Sequence, residues 1–274
     1  LAFTIFFIFA TSKDYNRCEI RLLIKTLLCT GVLASVFIIY NFLIGNQTGW
    51  SPRYSLEILG VIKDENYVSA FLMPILAYTY YMLFFAYKTE KKKKFALFFY
   101  SILISTGCLL TGSRAAFISV ILILIVLSYM ILFKGKFSAR RKIVLSILGA
   151  LLTIVVIVFA DKILPEMISA RLFDYGGYST DIRFTDLWKT AISLFYENPI
   201  LGSGLNAISE VYGIYSHSIY IDLLVGQGII GLLIFVAILI NLTKSRKQVR
   251  GLFFIMLFAF AMPLITINGL NTTS

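Results

Sequence analysis

Lysine and arginine gather in four short stretches of this chain, Lys13–Lys25, Lys88–Lys94, Lys134–Lys142 and Lys244–Arg250, with apolar segments between them. Cytoplasmic loops of membrane proteins are enriched in these two residues. A chain that threads back and forth through a bilayer can keep all four stretches on its inner side. The same threading puts the long polar segment from Asp161 to Ser216 on the outer side. That segment carries Arg171 and Arg183, and the only histidine, His217, follows it directly.

Composition agrees. Of 274 residues, 59% are hydrophobic and only 14% charged, which excludes an ordinary soluble domain. The net charge of +11 could suggest nucleic acid. Its concentration beside the spans points to anionic lipid instead, so membrane lipid and no nucleic acid is the expected partner. The remaining cations, Arg53, Lys63, Arg114, Lys162, Arg171, Arg183 and Lys189, all fall on the expected outer side. Cys18, Cys29 and Cys108 lie in or beside apolar runs and offer no disulfide framework. The chain opens on Leu1 inside an apolar run, with no basic leader or cleavage site, so it reads as a piece of a longer protein.

A spanning helix needs about 20 apolar residues. Spans are expected at 22–44, 67–87, 95–112, 115–133, 142–160, 218–240 and 251–270, after a clipped one at 1–10. The fold class is therefore all-α, a polytopic transmembrane helix bundle. We read residues 1–274 as a single integral membrane domain, with 161–217 as an extracytoplasmic loop containing amphipathic helices. Thr111-Gly-Ser-Arg114 joins two spans as a tight outer hairpin. Within the loop, Phe184, Leu187, Ala191, Leu194 and Phe195 recur at helical spacing. They predict an amphipathic helix over 182–197, lying on the bilayer or on the outer mouth of the bundle, and Asn198-Pro199 stops it.

Polar residues next to apolar spans are the candidates for chemistry. Arg114 stands at membrane depth in a tight hairpin, where a cation needs a partner. The alternative is an interfacial arginine snorkelling to lipid phosphate. Arg183 opens the loop helix, where a cation is mildly unfavourable unless an anion is near. With free backbone N–H groups it suits a phosphate, though Asp181 or Asp186 could equally pair with it. His217 lies at the mouth of a span and can transfer protons near neutral pH, or simply pack there. Asp222, one turn into that span, needs a cation or water. Arg53, Glu65 and Asn66 border the earlier outer loop, which can also be read as ordinary solvated chain. Gly226-Gln-Gly228-Ile-Ile-Gly231 spells a dinucleotide fingerprint but follows no strand, so it reads as a small-residue helix-packing face. One histidine and no clustered cysteines leave no metal site.

Several of these segments, taken in order, resemble the bacterial O-antigen ligase and polymerase superfamily. Thr111-Gly-Ser-Arg114-Ala-Ala is similar to its short outer hairpin. Arg183-Phe-Thr-Asp-Leu-Trp188, then Asn198-Pro-Ile-Leu-Gly202-Ser-Gly204-Leu-Asn206, resembles its R-x-x-x-W … P-x-x-G-x-G-x-N loop. Ser216-His217-Ser218-Ile-Tyr220 … Gly228-Ile-Ile-Gly231 resembles its H-N-x-Y … G-x-x-G stretch, and Arg53 … Asn66 its R … N-x-N element. The likeness runs from about 50 to 235. It departs from the family at Ser218, where asparagine is usual, which leaves the subfamily open.

The resemblance implies a glycosyltransferase acting on undecaprenyl-pyrophosphate-linked glycan at the outer face of the cell membrane, with no cofactor and no metal. Its expected partners are that lipid-linked donor, a glycan acceptor and a chain-length regulator. His217, Arg183 and Arg114 would be catalytic. Arg53, Asn66, Arg171, Trp188, Asn206, Ser218 and Asp222 would bind substrate. A repeat-unit polymerase is the leading expectation, a ligase the close alternative, and a non-enzymatic flippase or exporter the alternative of a different class.

Overall fold

The computed structural model describes residues 17–46, 54–58, 61–62, 64–85, 90–134, 138–140, 142–149, 151, 154, 188–213, 216, 218–244 and 259. Among them, α1 (Arg17–Leu43), α2 (Glu65–Phe85), α3 (Lys91–Leu110) and α4 (Arg114–Lys134) are long helices. Helical backbone continues over 142–149. The helices α5 (Trp188–Glu197) and α6 (Ala207–Tyr212) are short, and α7 (Ile219–Lys244) closes the described part. The fold is a polytopic helical bundle. Among the described residues the bundle also carries a minimal antiparallel hairpin, β1 (Glu57–Ile58) and β2 (Val61–Ile62). Among the described residues, five helical segments are long and apolar enough, by length and composition, to cross a membrane: residues 21–43, 65–85, 91–110, 114–133 and 219–238. The protein is a multi-pass membrane protein. The expected spans at 1–10 and 251–270 fall outside the described residues, apart from Ala259.

The bundle core forms where α2 is wrapped by α1, α3 and α4. Ile38, Leu72, Met73, Leu76, Ile104 and Ile123 are fully buried there. Small residues set the spacing, because hydrocarbon tails compete with side chains for apolar surface and close packing must supply the attraction. A Cβ added at Gly107 would lie 2.9 Å from the Ser35 Cβ, so α1 and α3 meet backbone to backbone. Polar side chains are bonded inside: Ser35 to the Gly31 carbonyl, Thr79 to that of Leu76, and the Tyr80 hydroxyl to Ser105 at 3.0 Å. Outward-facing Leu33, Phe37, Phe98, Ile118 and Ile125 stay exposed, as lipid-facing residues do. The segment after α1 is tied back by Asn41, whose Nδ2 donates to the Ser55 carbonyl at 3.1 Å, and by the Tyr54 ring edge-on to Phe42.

The span expected at 218–240 is not one straight helix. Gly228 has φ 65 and ψ −169, which breaks α7 into two halves. The Tyr220 and Phe235 rings lie 6.1 Å apart, whereas a straight helix would hold residues 220 and 235 about 22 Å apart. The chain therefore folds back at the break. Four of the backbone groups at the break are taken up by the loop after α5. Ser203 and Gly204 donate N–H bonds to the Val225 and Gly226 carbonyls, while Ile229 and Ile230 donate to the carbonyls of Pro199 and Ile200. Such contact needs glycine on both sides. A Cβ on Gly202 would come within 2.4 Å of the Gln227 nitrogen, and one on Gly228 within 2.2 Å of the Ile200 oxygen. The G-x-G-x-x-G run is thus a docking site for loop backbone, where the sequence pointed to helix packing.

Gly202→Ala and Gly228→Ala should each lower thermal stability far more than Gly45→Ala. All three have positive φ, worth roughly 1–3 kcal/mol of strain, but a Cβ at Gly45 meets nothing within 4 Å. Size-exclusion profiles of detergent-solubilised protein after a temperature ramp would measure the difference. Equal losses at all three positions would reject the backbone-docking account.

Candidate functional site

The first cluster forms at the hairpin between α3 and α4. Gly112, at φ 61, turns the chain. Thr111 is fully buried and its hydroxyl donates to the Cys108 carbonyl. Ser113 then caps α4: its Oγ accepts the Ala116 N–H at 3.4 Å, and its carbonyl accepts that of Phe117 at 3.0 Å. The same hydroxyl donates to Asn66 Oδ1 at 2.8 Å, on the first turn of α2. Asp64 caps α2 in turn, with Oδ1 accepting the N–H groups of Asn66 and Tyr67. One serine hydroxyl thus starts a helix and joins it to the start of another. Arg114, the first residue of α4, is half-buried beside this joint.

The second cluster gathers around Ser216. Helix α5 buries Ala191 and Leu194 against Val225 of α7 and against Ala207 and Ile208 of α6. Its apolar face therefore packs on the protein rather than on lipid. Of the helix expected at 182–197, the described part is Trp188–Glu197, and it does end before Asn198-Pro199. From its first turn, Trp188 Nε1 donates to the Ser216 carbonyl at 2.8 Å. The Ser216 hydroxyl meets Asp222 Oδ1 at 2.5 Å, in the length range of charge-assisted bonds. Ser218 donates its N–H back to Ser216 Oγ at 3.0 Å. Both serines are buried.

Packing brings the two clusters to one end of the bundle. Ala70, one turn beyond Asn66, touches Ile219 and Tyr220 at the start of α7. Of the expected site residues, Asn66 and Arg114 thus share one cluster, and Trp188, Ser218 and Asp222 the other. Asn206 precedes α6, with φ 67, a left-handed conformation that asparagine tolerates better than most residues. Arg53, Arg171, Arg183 and His217 lie outside the described residues. Two serines had escaped notice as site members. Ser113 carried a readable signal, a capping residue just ahead of an apolar run. Ser216 carried none, because its partners, Trp188 and Asp222, lie on separate elements that only the fold brings to it.

The sequence pattern defining a family described as O-antigen ligase matches residues 99–236, from within α3 into α7. The chain belongs to the O-antigen ligase family. It is also 30% identical over 167 residues to the ComP-specific O-oligosaccharyltransferase of Acinetobacter baylyi, an alignment covering 53% of this chain. The chain spans only 29% of that relative's length. No solved structure matches. Both clusters lie within or beside the family region: Ser113, Arg114, Trp188, Ser216, Ser218 and Asp222 inside it, and Asn66 bonded to it.

Ser113→Ala should cost roughly 1–2 kcal/mol, since it removes both the cap and the bond to Asn66. Asn66→Ala should cost less, because the cap survives. Denaturant titration of both variants in detergent would show the order, and a reversed order would mean that the cap is not the larger part.

Proposed function

We propose that the protein transfers glycan from an undecaprenyl-pyrophosphate carrier to an acceptor hydroxyl, at the outer face of the cell membrane. The observation that carries this reading is the meeting of the two polar clusters at one end of an otherwise apolar bundle, through the contact of Ala70 with Ile219 and Tyr220. Membership of the O-antigen ligase family supports it. So does likeness to a protein named as an oligosaccharyltransferase. The alternation of basic stretches supports putting that end, and the loop at 161–217, on the extracytoplasmic side.

In this reaction the acceptor oxygen attacks the anomeric carbon of the donor as the bond from that carbon to the pyrophosphate oxygen breaks. His217 takes the hydroxyl proton. The departing pyrophosphate gains negative charge, which Arg114 and Arg183, with Arg171, neutralise through forked bonds that strengthen as the charge develops. The position of Arg114 supports this reading. It opens α4, where the backbone N–H groups of a helix start also favour an anion. Arg53, Asn66, Trp188, Asn206, Ser218 and Asp222 would bind the sugars or shape the pocket. No metal is needed, because the arginines supply the charge.

Polymerisation of repeat units, assisted by a chain-length regulator, and ligation of a finished glycan to another acceptor use the same chemistry. The relative specific for ComP favours ligation, while polymerase is our reading from the sequence. A flippase or exporter would bind its cargo at helix breaks of the kind seen in transporters. The break at Gly228 offers less for that use, because loop backbone already takes the Val225 and Gly226 carbonyls and the Ile229 and Ile230 N–H groups.

His217→Ala should insert normally but abolish transfer, and Arg114→Lys should lose most activity, since a point charge cannot reproduce the guanidinium fork. The length distribution of lipid-linked glycan in cells carrying each variant is the measurement. Accumulated single repeat units indicate a polymerase, and long polymer stranded on its carrier indicates a ligase. Wild-type glycan in the His217→Ala cells would reject the catalytic reading.

A further inference from the structure

We infer that Asn66 binds the pyrophosphate of the lipid-linked donor through its side-chain NH2 group. Ser113 is the positioning residue that turns this group toward the ligand. The inference rests on the reading of the protein as a transferase of pyrophosphate-linked glycan. It adds which atoms of Asn66 meet the donor and which part of the donor they meet.

An amide side chain has an accepting end and a donating end, so a neighbour that holds one end aims the other. Ser113 holds the accepting end, its Oγ donating to Asn66 Oδ1 at 2.8 Å. That direction follows from the serine's other bond. Its Oγ already accepts the Ala116 N–H at 3.4 Å, so its single hydrogen needs an acceptor, which the amide oxygen supplies. Turned the other way, the amide would bring a second donor to Oγ and leave the hydroxyl hydrogen without a partner. Ser113 is 3% exposed, so water has little access to replace either bond. The main-chain groups of Asn66 are occupied as well. Its N–H goes to Asp64 Oδ1 at 2.8 Å, and its carbonyl accepts the Ser69 hydroxyl at 2.8 Å. What is left is the Nδ2 group, two donors with no partner among the described residues, on a half-buried side chain.

Position decides what those donors face. Side chains four residues apart on a helix share a face, so Asn66 stands one turn outward of Ala70. Ala70 is 6% exposed and packs against Ile219 and Tyr220 at the start of α7. Asn66 therefore lies on the face of α2 that meets α7, while its oxygen is bonded to the start of α4. The NH2 group, at the opposite end of the amide, is turned away from α4 and into the space between the two polar clusters. A pair of N–H donors matches oxygens that only accept, as those of a phosphate do. Sugar hydroxyls match it less well, because they bring hydrogens of their own. Arg114 follows Ser113 directly and brings a cation to the same joint, which favours the anion.

The test uses the full-length protein in nanodiscs. It measures affinity for undecaprenyl pyrophosphate and for undecaprenol, which shares the tail and lacks the phosphates. Asn66→Ala should weaken undecaprenyl pyrophosphate binding about 10-fold, the order expected for a lost bond to a charged group, and leave undecaprenol binding unchanged. Asn66→Asp keeps an oxygen for the Ser113 hydroxyl, in a first turn where the helix dipole favours a carboxylate. It should therefore keep its thermal stability and still lose at least as much pyrophosphate affinity. Ser113→Ala should weaken pyrophosphate binding several-fold in the parent, and by a smaller factor when Asn66 is already alanine, because it acts through that amide. Equal factors in both backgrounds would reduce Ser113 to a helix cap and overturn its positioning role. Parent-like pyrophosphate affinity in Asn66→Ala would overturn the contact, and loss of turnover in that same variant would assign the NH2 group to sugar. A parent protein that binds the two lipids equally would instead reject the pyrophosphate-linked donor, and with it the transferase reading beneath the inference.

Discussion

Unpaired backbone is the costliest defect a chain can carry into apolar surroundings, where no water replaces a missing partner. The break in α7 interrupts its hydrogen-bond ladder, and the carbonyls of Val225 and Gly226 and the N–H groups of Ile229 and Ile230 turn to the loop instead. The Pro199–Gly204 loop supplies two donors and two acceptors in return. Neither piece is satisfactory alone, so each requires the other. This exchange brings α5 onto α7 and lets Ala191 and Leu194 bury against Val225. It also carries Trp188 to within bonding distance of Ser216.

The other half of the site depends on a smaller device. The Ser113 hydroxyl both caps α4 and reaches Asn66. A hairpin between two spans has few ways to satisfy its own turn, and a serine with one donor and two lone pairs suits that geometry. Arg114 follows directly, so its backbone position is set by the cap. Contact between Ala70 and the start of α7 then places this arginine and the Ser216 cluster at the same end of the bundle. The result is a cation and a set of buried polar groups gathered at one end of an apolar bundle.

Much of the bundle was legible in the chain. The spans at 22–44, 67–87, 95–112 and 115–133 match α1 to α4 within a few residues, because sustained hydropathy with flanking charge is a strong signal. The Asn198-Pro199 stop was equally plain. The folded-back α7 was not. Its composition is that of one span, and the glycines at 226 and 228 are compatible with either close helix packing or a break. Only the partner decides which, and here the partner is loop backbone some 25 residues upstream by the numbering of Gly202 and Gly228. The apolar stripe of α5 was legible as well. Its destination was not, since a stripe does not say whether lipid or protein will cover it.

By itself the sequence determined the membrane class, the positions of the first four long helices and the family to which the chain belongs. These follow from local patterns: apolar runs, charge placement, capping residues and short motifs. Tertiary structure alone decided that α7 folds back, that α5 packs on protein, and that Ser216 links Trp188 to Asp222. Each of these is a pairing between segments far apart in the chain. Its energy depends on a partner's geometry, such as a carbonyl at bonding distance or the missing Cβ of Gly202, which no local pattern encodes.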